Sequence, residues 1–141
     1  MKKKWFVLVS VVMLVMTGCS SKPTLAKWVE SDEIAAGEEE INALYDDSGL
    51  GFHVQFSADG EDVLVFSLIH DEYQQLAGCS QSEIDADFAM ELDALGLASN
   101  VSNFFEKCKE DTGITLRCVR VQCVNADGTV IYSQEYLDTE E

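Results

Sequence analysis

The chain has 141 residues, enough for one ordinary domain around a single core. Its 26 aspartates and glutamates outnumber nine lysines and arginines, giving a formal net charge of −17. A chain this acidic is repelled by nucleic acid and by anionic lipid, so nucleic-acid binding is excluded; a cationic partner, a divalent ion or plain solubility remain to explain the charge.

The N-terminus reads as a secretion signal over residues 1–18. Lys2, Lys3 and Lys4 form a positive cluster, Trp5 to Met16 is apolar apart from Ser10, and small residues follow. The apolar run is shorter than the about 20 residues a membrane-spanning helix needs. Ser20, Ser21, Lys22 and Pro23 would end such a helix in any case. Met16-Thr17-Gly18-Cys19 resembles the lipobox of bacterial lipoproteins. That resemblance implies a diacylglyceryl group on the Cys19 thiol and cleavage between Gly18 and Cys19, with Gly18 as the small residue the peptidase admits. Two acyl chains hold a protein stably on a membrane where one binds marginally. The alternative is an ordinary cleaved signal beside an incidental cysteine. The expected location is the extracytoplasmic face of the cell membrane, with residues 19–24 as a short tether. Removing residues 1–18 takes away three lysines and no acid, leaving 123 residues with a net charge of −20.

Residues 24–47 read as helical. Leu25, Trp28, Val29 and Ala36 form one apolar stripe and Ile41, Leu44 and Tyr45 another. Thr24 is placed to cap the first turn, Gly37 to bend the segment, and Ser48-Gly49 to end it. A hairpin follows. Phe52, Val54 and Phe56 alternate with His53, Gln55 and Ser57, and Ala58-Asp59-Gly60 supplies the turn. The return strand, 62–69, is apolar on both faces, which predicts an interior strand covered on each side. Ser80 and Glu83 form a capping box for a long helical region, within which Ile84, Phe88, Leu92, Leu95, Val101, Phe105 and Cys108 recur at helical steps. Gly96 and Ser99-Asn100 are placed to split it, and Gly113 to stop it. A second hairpin spans 115–124 and 129–137 around Asn125-Ala126-Asp127-Gly128. Its Ala-Asp-Gly repeats that of the first turn, a weak sign of a duplicated half because turns favour these residues. The expectation is one α+β domain over 25–138 and an acidic tail over 139–141. Its antiparallel four-stranded sheet comes from two β-hairpins, each preceded by helix, with the helices on one face.

Two segments carry a family resemblance. Leu25-Ala-Lys-Trp28-Val29-Glu30-Ser31 and Val119-Arg-Val121-Gln-Cys123-Val-Asn-Ala-Asp127-Gly128-Thr-Val130-Ile131-Tyr132, taken with the lipobox, resemble the small Gram-positive lipoproteins catalogued as domain of unknown function 4854. The resemblance spans most of 24–137. It implies the fold and the extracytoplasmic lipoprotein character, and it brings no activity and no binding residue. Cys123 stands where that pattern expects an aromatic residue.

Candidate chemistry is sparse. Cys79, Cys108, Cys118 and Cys123 are an even set, so they are candidate disulfide cysteines in an oxidising compartment, with the pairing open. Their spacing is not that of a metal site. On one strand, Cys118 and Cys123 would face opposite ways. His53 reads as a solvent-facing strand residue. His70 is a candidate acid–base or metal group with Asp71 or Glu72, against which stands the alternation of strand neighbours. The acids gather around the first turn (Asp59, Glu61, Asp62), on the second helical region (Asp85, Asp87, Glu91) and at 46–47, without the spacing of a calcium loop. No nucleophile elbow or phosphate loop is present. The sequence therefore predicts no catalytic residue, cofactor or metal. It points to a non-enzymatic, membrane-anchored module that meets another envelope protein. A lipoprotein binding a small ligand or divalent cation, for uptake or sensing, is the alternative.

Overall fold

The computed structural model describes residues 23–138. The signal segment, the lipobox with Gly18 and Cys19, most of the tether and the acidic tail lie outside these described residues.

Two helices open the domain, α1 (Leu25–Val29) and α2 (Asp32–Ser48). The expected single helix is broken at Glu30-Ser31, and Gly37 lies buried inside the continuous α2. The cause is a second cap. Ser31 leaves helical geometry, donates its hydroxyl to the Trp28 C=O at 2.6 Å and accepts the Ile34 N–H at 3.5 Å. Thr24 caps α1 through the Lys27 N–H, as anticipated, and Gly49 ends α2 in the left-handed region. The first hairpin is β1 (Phe52–Asp59) and β2 (Val63–His70). Next come α3 (Gln81–Ala94) and α4 (Leu97–Thr112), split at Gly96 with φ +68°, not at Ser99-Asn100. The Ser80–Glu83 capping box forms as read. The second hairpin is β3 (Cys118–Val124), three residues shorter at its start than the expected strand, and β4 (Val130–Tyr136).

The sheet order is β1-β2-β3-β4. Both hairpins are antiparallel, but the central pair, β2 and β3, runs parallel, with Phe66 opposite Val121. The expected all-antiparallel sheet is therefore corrected to a mixed one. The physical reason lies between the hairpins. The α3–α4 segment carries the chain back along the sheet, so β3 starts at the end where β2 started; such a crossover yields a parallel neighbour. The α+β class holds.

One face of the sheet carries the core. Val54 and Phe56 of β1, Leu64, Phe66 and Leu68 of β2, and Val119, Val121 and Cys123 of β3 pack with Leu25 and Trp28 of α1, Ile41 and Tyr45 of α2, Phe88 and Leu92 of α3, and Leu97, Val101 and Phe105 of α4. Phe56, Phe66 and Phe104 form a ring cluster there, with centroids 5.1 to 6.1 Å apart. Cys123 is fully buried opposite Tyr132 of β4, which brings an aromatic ring beside the cysteine. The other face holds a small cluster of strand residues alone, Val63, Val65 and Cys118. So β2 is interior, as its sequence predicts, but only one of its faces is covered by helices.

Candidate functional site

The residues singled out from the sequence do not converge. His53 is exposed and pairs across the hairpin with Asp71, Nδ1 to Oδ1 at 3.0 Å. His70 points to the opposite face and packs edge-on against Phe52 and Phe88. Strand alternation thus separates His70 from Asp71. Cys118 and Cys123 lie on opposite faces, as their odd spacing requires. All four described cysteines are free thiols. Cys79 is exposed, whereas Cys108, Cys118 and Cys123 are buried. Burial raises each of these three thiols, and burial with nearby Glu91 pushes Cys123 up to about 12. A thiol held protonated is a poor nucleophile. Among the described residues, no three histidines, cysteines or acids come together where they could hold a metal ion.

Two polar features that look like surface residues in the sequence are buried ties. Lys107 and Asp111, one turn apart on α4, pair at 2.8 Å with side chains only 9 % and 7 % exposed. The second oxygen of Asp111 accepts the Trp28 indole N–H at 3.0 Å, which fastens α1 to α4. Glu33 of α2 stands nearby. Its carboxyl is raised by burial, against the pull of Lys107 and with a further push from Asp111. The second tie is Asn125, buried at the end of β3. It accepts the Gln74 N–H at 2.8 Å and donates to the Gln74 C=O at 3.1 Å, pinning the loop after β2 to the second hairpin. In the sequence Asn125 is an ordinary turn residue, and nothing local distinguishes it.

The helix-free face is crossed by one arginine. Arg120 of β3 reaches over β2 to Asp59 of β1, Nη1 to Oδ2 at 2.7 Å. On its other side it meets Glu135 of β4 at 3.1 Å. A single guanidinium thereby ties three strands above Val65. Beside it, Gln122 donates to the Ser67 hydroxyl at 2.9 Å. These polar side chains lie over Val63, Val65 and Cys118, and give this face a largely polar surface.

The two edges of the sheet are treated differently. Along β1, α2 lies close and runs antiparallel. Asn42 accepts the Val54 N–H at 2.6 Å and donates to the Val54 C=O at 3.1 Å, while Glu38 accepts the Phe56 N–H at 3.0 Å. Four helical residues rise about 6 Å and two strand residues about 6.8 Å. Side chains one turn apart on α2 therefore match backbone groups two apart on β1, and Asn42 bonds as a neighbouring strand would. In the sequence, Glu38 is hidden in an acidic run. Its one available signal is a Glu and an Asn at four-residue spacing on the helix preceding a strand.

The β4 edge has no such cover. Among the described residues, the β4 backbone bonds to β3 alone, and no side chain caps its outward groups. Val130 and Leu137, at its two ends, are 49 % and 65 % exposed. α3 packs along it, with Phe88 stacked on Tyr132 at 6.2 Å. The Tyr132 phenol is raised by burial first and then by Asp85; that of Tyr136 is raised by burial, then by Tyr132 and Asp93.

The model of a domain of unknown function, number 4854, matches residues 25–136, so the chain belongs to that family. The match coincides with the folded unit, from the first residue of α1 to the last of β4. No curated protein and no solved structure matches the chain. Among the described residues, no helix is long and apolar enough to cross a membrane.

Proposed function

We propose that this chain is the precursor of a bacterial lipoprotein, cut before Cys19 and held by lipid on the extracytoplasmic face of the cell membrane. There its domain acts as a non-catalytic module that binds another envelope protein. The address rests on the lysine cluster, the short apolar run and Met16-Thr17-Gly18-Cys19. The observation that carries the binding role is the half-covered sheet: among the described residues, four helices pack on one face, and nothing covers the second face or the β4 edge. A polar sheet face and a strand edge suit a protein partner better than a small ligand, which is usually held in a concave, mostly apolar site.

The test is cross-linking on intact cells, with Cys19→Ala as the unanchored control. Incorporation of labelled palmitate into the native chain alone, with one discrete cross-linked protein lost in the variant, is the expected result. Unchanged palmitate labelling of Cys19→Ala would refute the anchor. A membrane-bound chain that captures no protein, but whose melting temperature rises with one ion or metabolite, would replace the binding role with ligand uptake or sensing.

A further inference from the structure

Among the described residues, side chains seal one edge of the sheet and none seals the other, and the difference has a charge signature. Between residues 23 and 138 there are 24 acids and five basic residues. Two of the five are paired with acids, Arg117 with Asp62 and Arg120 with Asp59 and Glu135. Lys107 is consumed by Asp111, and Lys27 and Lys109 lie on α1 and α4. Neither α3 nor β4 carries a lysine or arginine, while α3 alone carries Glu83, Asp85, Asp87, Glu91 and Asp93.

Strand edges are hazards in a soluble protein, and they are usually blunted with lysine, proline, bulges or a covering element. The β4 edge has no lysine, no proline and no cover among the described residues. Its one irregularity is a bulge at its start, opposite Cys123/Val124. In an antiparallel pair, every second residue turns both its N–H and its C=O away from the neighbour. β4 therefore offers a row of unpaired donors and acceptors, flanked by exposed Val130 and Leu137 and by acids of α3.

We propose that β4 is a docking edge for an extended, lysine- or arginine-bearing segment of a partner protein, which adds to the sheet as a fifth strand. Backbone bonds along β4 supply the pairing, and Asp85 and Asp93, both exposed on α3 beside the β4 tyrosines, select for positive charge. A second copy of this chain is disfavoured as occupant because two such edges bring acid against acid. This inference rests on the module reading above and narrows it to one surface and one partner chemistry.

The test uses the full-length chain in detergent and a peptide of alternating lysine and valine long enough to span β4. Its controls are a glutamate–valine counterpart and a lysine–valine peptide N-methylated at alternate residues. The expected result is saturable binding of the lysine peptide, new amide protection in β4 by hydrogen exchange, and loss of both on N-methylation. Asp85→Lys with Asp93→Lys is expected to weaken binding by about tenfold or more. The same charge change at Asp46 and Asp47, on the far helix, should alter it much less. Equal weakening by both pairs, survival of binding after N-methylation, or protection appearing away from β4 would overturn the proposal. So would a concentration-dependent dimer, with β4 protected in the absence of peptide, which would give the edge to a second copy. Should the cell cross-linking still capture a protein while the lysine peptide fails to bind, the module reading stands and only this edge assignment falls.

Discussion

The two edges of this sheet are built from strands of nearly equal length, yet only one is finished. At β1, Asn42 and Glu38 of α2 take over the bonds a further strand would make. At β4, nothing among the described residues does so. The difference teaches that edge protection here is a property of where the helices run. α2 lies along β1, whereas α3 packs against β4 through its tyrosines and leaves the backbone row to solvent.

The comparison can be broken at its anchors. The largest effect is expected from Lys107→Met, which leaves Asp111 charged and nearly buried beneath Trp28. Removing one partner of a buried pair costs about 3 kcal/mol or more, read as a fall in the urea midpoint. Because α1 leads directly into α2, amide protection at Val54 and Phe56 should fall with it. Next comes Asn42→Ala, which strips both bonds from Val54. Leaving partly buried backbone groups unpaired costs about 2 kcal/mol, and the newly opened β1 edge should make the variant self-associate at concentrations where the native chain is monodisperse. Arg120→Met is expected to cost about 1 kcal/mol or less, because its partners are half exposed. The deficit should shrink as salt is raised.

A smaller effect comes with pH. Glu83 has its carboxyl lowered by the Ser80 backbone and hydroxyl bonds of the capping box. A depressed carboxyl contributes stability above its ordinary pKa of 4.5 and loses it as pH falls through the lower folded value. Acid titration of Glu83→Gln should therefore show a shallower loss of stability below pH 4.5 than the native chain. Smallest of all is Leu137→Lys, exposed at the open end of β4, with a change within about 0.5 kcal/mol. A large loss there would mean that the edge is covered after all.

Much of the fold was legible in the sequence, and the parts that were not share a cause. Helix and strand positions follow local rules: Thr24, Ser80, Gly49 and Gly113 act through neighbours three or four residues away. Alternation alone puts Cys118 and Cys123 on opposite faces, as the fold does. The parallel β2–β3 junction had no such signal, because it depends on the path of the α3–α4 crossover. Ser31 carries no signal of a break in the sequence, because a serine is equally at home in a first turn and at a cap. The candidate surface was the least legible. Asn42, Glu38 and Arg120 act across 12, 18 and 61 residues of sequence. In an acidic chain, such residues look like solvated surface until the fold brings their partners to them.

Amide hydrogen exchange, resolved by residue on the chain without any peptide, tests the asymmetry of the edges most directly. Val54 and Phe56 should exchange only when α2 lifts from β1, and so be strongly protected. Alternate amides of β4 should exchange close to the rate of an open strand, while those bonded to β3 stay protected. Equal protection along the whole of β4, or fast exchange at Val54 and Phe56, would contradict the account.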